Sequence, residues 1–158
     1  MMAIKNLETY IERMGLVETI DSTTGKRIYR RPGFDGIVSL GAMEEACSWF
    51  LRQKRDARKL NRRQVGTMVG IHAEIYARHE RAAARLSVTR LLHLAELLDF
   101  SPLEAVHAVA PQFFGKDQQE ADMRLELGMR LLTLPARSAG PLLKLLEELP
   151  SCKPVNDR

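Results

Sequence analysis

The chain has 158 residues, 45% of them hydrophobic, a net charge of +4 and a pI of about 9.3. That length and apolar content predict one main domain with small appendages. No stretch approaches the roughly 18 apolar residues of a membrane span, and the opening MMAIKNLETYIERMG lacks the charged-then-apolar order of a leader, so the expected location is cytoplasmic. Cys47 and Cys152 are far apart and have no metal-ligand spacing, which argues against a disulfide framework or a zinc site.

Ile4, Leu7, Ile11 and Met14 recur at helical spacing and predict a short first helix. Two β-prone runs, residues 16–20 and 26–31, flank the turn-rich DSTTG and predict a hairpin, with Pro32, Gly33 and Gly36 breaking the pattern after it. Residues 40–110 read as helical throughout. The stretch 43–58 carries acids first and bases last, as the helix dipole favours, with Trp49, Phe50 and Leu51 expected on its buried side. Asn61 is expected to cap a helix in RRQVGTMVG that Gly70 closes; His72 caps the next, at about 73–82. Ser87 and Ser101 are placed to cap the two helices that follow. Residues 120–134 form a wide apolar band ended by Pro135, and Pro141 is expected to start a last helix carrying Leu142, Leu145, Leu146 and Leu149. The tail at 151–158 is expected to fray. The implied organisation is an appendage at 1–39, a domain at 40–112 and a C-terminal helical segment at 117–150.

Charge is localised. Residues 52–90 hold eleven Lys or Arg against Asp56, Glu74 and Glu80, a window of +8 that leaves −4 for the rest of the chain. This is the footprint of a face that neutralises phosphates, or of a solvated helix surface. Gly66 and Gly70 lie directly upstream of the charged turn. Two helices joined steeply by a short turn need glycine in the turn and a minimal side chain where the backbones meet, which predicts a helix-turn-helix. In its second helix Tyr76, His79, Glu80 and Ala83 are expected to look inward, and Ala73, Glu74, Ala77, Arg78 and Arg81 outward. Catalytic constellations are missing: His72, His79, His93 and His107 join no acid or cysteine pattern, and there is no phosphate loop or nucleophile elbow. Neither an enzyme nor a cofactor or metal is expected.

The stretches LRQKRDARKLNRRQVGTMVGI, YARHER and LSVTRLLHLAELLDFSPLE make residues 51–104 resemble the Cro/C1-type (XRE, lambda-repressor-like) DNA-binding domain, in register over five helices. The resemblance covers about a third of the chain. It implies a mainly α fold in which this five-helix unit is joined to an N-terminal helix and hairpin and to a C-terminal helical pair. It also implies base reading by His72, Ala73, Glu74, Ala77 and Arg78 in the major groove of double-stranded DNA. Lys59, Arg62, Arg63, Arg81 and Arg85 would then hold the backbone, with Arg62 standing where the family usually has a phosphate-binding glutamine. Arg55 and Glu80 occupy positions of a structural ion pair. Tyr76 and His79 replace aliphatic residues, and RAAAR lacks the glycine usual after the reading helix, so a longer reading helix or an altered interhelical angle is expected. The leucine-rich tail is similar to those that serve dimerisation, here through Leu131, Leu142, Leu145, Leu146 and Leu149. The expected function is a homodimeric, sequence-specific transcription regulator, a repressor before an activator. Two competing expectations remain open: an antitoxin-like or anti-activator protein binding a protein partner through the hairpin or C-terminal helices, and a non-specific nucleic-acid-binding module. The basic strand residues Lys26, Arg27, Arg30 and Arg31 are a further candidate DNA contact.

Overall fold

A computed structural model describes residues 7–149. Within them lie eight α-helices and one two-stranded antiparallel sheet. In chain order they are α1 (Leu7–Arg13), β1 (Val17–Ile20), β2 (Arg27–Arg30), α2 (Leu40–Ala57), α3 (Arg62–Val69), α4 (Ala73–His79), α5 (Val88–Leu98), α6 (Pro102–Val109), α7 (Gln118–Leu132) and α8 (Ala136–Glu148). A short 3-10 turn, Pro111–Phe113, precedes α7. Ile4 and the tail expected to fray lie outside the described residues.

The expected hairpin forms, with Val17 opposite Arg30 and Ile20 opposite Arg27. Its turn is closed by Asp21, whose carboxylate accepts from the Thr23 N–H and the Thr24 hydroxyl. Those bonds hold the Asp21 carboxyl below the usual range. The basic strand is committed to structure: Arg30 donates to the Val38 carbonyl at 2.8 Å, Arg31 to the Met14 carbonyl at 2.9 Å, and Arg27 pairs with Glu18. These contacts fasten the hairpin to the segments beside it and leave the charges of Arg30 and Arg31 in place.

The core is drawn from α2 through α6. Leu51, Val65, Tyr76, Leu94 and Leu98 are its largest fully buried side chains, and Phe50 meets Phe100 edge-on with centroids 5.0 Å apart. In α2 the buried side runs through Ser48, Phe50, Leu51 and Arg55. Trp49, expected inside, is 65% exposed. At 100° per residue it shares the solvent face with Arg52, Gln53 and Asp56, so adjacency to two buried residues did not determine its direction. Ser39 caps α2, which starts at Leu40 where the helical stretch is expected to begin.

Asn61 caps α3 in a reciprocal capping box with Gln64, His72 caps α4, and Ser87 and Ser101 cap α5 and α6 as expected. Two elements depart from expectation. α4 ends at His79 and is not lengthened: the chain turns away at Ala82, which takes the left-handed conformation at φ 54. Ala82 thus stands where a glycine would be unstrained, and Ala82→Gly is expected to raise stability by about 0.5–1 kcal/mol, the left-handed strain less the added unfolded-state entropy. A shift of the urea midpoint in the opposite direction would contradict that placement. α8 begins at Ala136, so Pro141 lies inside it and does not start it. Proline lacks the N–H that would bond the Arg137 carbonyl, but this turn is exposed and water can take that acceptor.

Candidate nucleic-acid interface

The joint between α3 and α4 is built from two glycines with different tasks. Gly70 ends α3 at φ +76, and its successor Ile71 donates back to the Gly66 carbonyl at 2.9 Å. Gly66 is buried where the helices meet: a Cβ there would lie 2.9 Å from the Ile71 carbonyl oxygen and 3.3 Å from Ala73 backbone atoms. Because the obstacles are backbone, Gly66→Ala must push α4 away. We expect a loss of about 1–3 kcal/mol, as for other overpacked sites. An unchanged thermal midpoint would show that the joint yields without cost.

Beneath α4 lies a buried ionic cluster. Glu80, its side chain fully buried, accepts from Arg55 Nε at 2.6 Å and Nη2 at 3.1 Å, and from Arg62 Nε at 2.8 Å. Arg55 also donates to the Leu60 carbonyl at 2.8 Å, closing the joint between α2 and α3. Burial raises the Glu80 pKa, but the Arg55 and Arg62 guanidiniums outweigh it and hold the carboxyl below its usual range. The Tyr76 hydroxyl is buried beside this carboxylate without a well-formed hydrogen bond, and its pKa is raised by burial first and by the Glu80 charge second. The cluster ties the last residue of the α4 turn to α2 and α3, which fixes the direction of α4.

The side of α4 left open carries Glu74, Ile75 and Arg78, with Arg81 just beyond the helix. Ala77, expected outward, is only 4% exposed. Once Tyr76 and Glu80 point inward, Ala77 and Ala73 fall on the inward edge of the same helical wheel, so the expected outward face was rotated too far. Ala83, expected inward, is exposed because the helix has already ended. Ile75 is 47% exposed on the open face, a position missed in the sequence although the phase set by Tyr76 puts it there. Glu74 pairs with Arg81, which lowers the Glu74 pKa. Arg78 reaches only the Ala83 carbonyl, at 3.4 Å. His79 is half-buried: its carbonyl accepts from the Ser48 hydroxyl at 2.5 Å, and its Nδ1 lies 3.2 Å from the Ala84 carbonyl. These contacts fasten the loop that lacks glycine. His72 is exposed, its Nδ1 accepting from the Glu74 N–H at 3.3 Å.

The basic window divides into structural and open cations. Arg58 donates to the Leu98 and Asp99 carbonyls at 3.0 and 2.9 Å, Arg90 to the Val69 carbonyl at 2.8 Å, and Lys54 pairs with Glu104. With Arg55 inside, four of the eleven positive charges secure helix ends or the core. Lys59, at φ 56 in the joint before α3, and Arg63 are exposed. Arg62 spends Nε on Glu80 but its side chain stays 41% exposed. Arg52, Arg62, Arg63 and Asn61 surround an open recess at the start of α3, where unpaired backbone N–H groups favour anions. Arg85 stands apart, on the rim of a cavity with Asp21 and Glu44.

Among the described residues no helix is long and apolar enough to cross a membrane, and no group of three or more His, Cys, Asp or Glu side chains is placed to hold a metal. In α7, Leu127, Leu131 and Leu132 are exposed, and no residue of α8 is buried; Leu143 and Leu145 are 60% and 55% exposed, and Leu142 and Leu146 are half-buried. Comparison of the chain with family models, with curated proteins and with solved structures finds no match.

Proposed function

We propose that the protein is a sequence-specific DNA-binding transcription regulator, a dimeric repressor, in which α2–α6 form a lambda-repressor-like unit and α4 enters the major groove. The observation that carries this reading is the α3–α4 joint: a glycine-closed turn, a backbone approach that admits no Cβ at Gly66, and a buried Arg55–Glu80–Arg62 cluster that sets the angle of a helix whose outer side is open. A seven-residue helix held this rigidly with its polar side unoccupied is suited to presenting side chains to base edges. Arg78 has the free fork needed for guanine O6 and N7, and Ile75 offers an apolar contact of the kind a thymine methyl takes. The Glu74–Arg81 pair would have to open or rotate if Glu74 is to accept from cytosine N4. Lys59, Arg62 and Arg63, at the start of α3, supply the phosphate contacts that set register.

α8 supports the dimeric part of this reading. A helix of 13 residues with no buried side chain is marginal in water by itself, and its leucine stripe asks for a second surface. A second copy provides one and gives a two-fold protein for two-fold half-sites. Selection of bound duplexes from a random pool at moderate salt tests the reading. A motif with two-fold symmetry is expected; failure to enrich any motif from folded protein would overturn it and favour protein binding through the exposed leucines.

A further inference from the structure

A second site lies away from the α3–α4 face. The hairpin turn, the N-terminal half of α2, and α5, α6 and the 3-10 turn line an open cavity of about 480 Å³. That volume falls among small-molecule sites of roughly 300–1,000 Å³. Its wall is apolar, formed by Met43, Leu91, Val106 and Phe113 among others, with the free thiol of Cys47 in the same wall. Phe113 at its mouth is 68% exposed, an apolar side chain facing solvent beside an open cavity.

The rim decides what can enter. Asp21 takes one hydrogen bond on each carboxylate oxygen, from Thr23 and Thr24, and its remaining charge interacts with Arg85 across the rim. Among the described residues the ion pair of Arg85 is a long one, Nε to Glu44 Oε1 at 4.0 Å, Asp21 acts on it through its charge without a hydrogen bond, and its side chain is 70% exposed. A guanidinium has five donors in a planar fork that matches a carboxylate, so one contact at the limit of ion pairing leaves most of them free. We infer that this cavity binds an apolar small molecule with a carboxylate head, its hydrocarbon part against α2 and α6 and its carboxylate on Arg85. The inference is independent of DNA reading by α4, and it accounts for the position of Arg85 on the cavity rim.

Cys47 supplies a reporter inside the cavity. In a Cys152→Ser background, which leaves it as the only thiol, its alkylation rate is measured against decanoate below its micelle concentration, with decylamine and decanol as probes of matched length. Decanoate is expected to slow alkylation saturably. Arg85→Gln, at an exposed side chain, is expected to raise the decanoate concentration required about tenfold, the worth of a charge-assisted hydrogen bond, and to leave decanol unchanged. Glu44→Gln, which removes the competing carboxylate, is expected to lower it. Absence of protection by decanoate, equal protection in Arg85→Gln, or better protection by decylamine would each overturn the assignment.

Discussion

Glu80→Ala is expected to destabilise the protein by about 3–5 kcal/mol, the largest effect of any single substitution outside the apolar core. Removing the carboxylate leaves Arg55 buried among α2, α3 and α4 with only the half-exposed Asp56 carboxylate, 2.6 Å from its Nη1, as a counter-charge, while Arg62, partly exposed, returns to water. The cost measures a buried cation left with one exposed partner and not the net worth of the ion pair. Replacing both partners, Arg55→Met with Glu80→Leu, should accordingly recover much of the loss. Urea denaturation of the three variants checks this; a loss below about 1 kcal/mol for Glu80→Ala would mean that water reaches Arg55. The same cluster gives acid sensitivity. Because the folded Glu80 pKa lies below its ordinary 4.5, the unfolded chain binds the extra proton first as pH falls. The contribution is complete above that value and is lost as pH drops from it through the folded pKa, so stability in this range rises with pH. The Glu80→Ala variant should show a shallower acid limb.

Truncation after Leu134, which removes α8, is expected to convert the proposed dimer to a monomer and to weaken binding to a two-fold site by about 10²–10⁴-fold. The rest of the fold should survive, since no α8 side chain is buried within the single chain. Among the described residues the leucines of α7 and α8 named above stay largely exposed in one copy, and the proposed association would bury them. Sedimentation equilibrium and fluorescence anisotropy on a selected duplex test both halves. An intact chain that stays monomeric at tens of micromolar, or a truncated one with undiminished affinity, would contradict the proposed dimer.

Features set by local chemistry were legible in the sequence. Asn61, His72, Ser87 and Ser101 cap because their side chains can satisfy helix N–H groups a few atoms away, and Gly70 closes α3 because it reaches left-handed φ without strain. The pairing of Arg55 with Glu80 was anticipated only through the family resemblance. Features set by tertiary direction were harder to see. Trp49 and Ala77 were assigned to the wrong side because a helical wheel fixes relative angles and leaves its absolute phase to the packing partners. The +8 of residues 52–90 counts Arg58, Arg90 and Lys54 alongside the rest, whereas each holds a helix end or another element. Residues that meet only across the hairpin, α2 and the loop after α4, as Asp21, Glu44 and Arg85 do, leave no periodic signal in the chain.

The central claim is that α4 reads base edges, and Arg78 is the side chain that tests it most directly. Affinities of the wild type and Arg78→Ala should be compared over every single-base variant of a selected duplex at fixed salt. If Arg78 donates to guanine, the wild type discriminates at one symmetric position by about 1–3 kcal/mol, and the variant loses that discrimination there while keeping it elsewhere. Uniform weakening across all sequences would reduce Arg78 to a phosphate contact, and unchanged affinity and preference would contradict the placement of α4 in the groove.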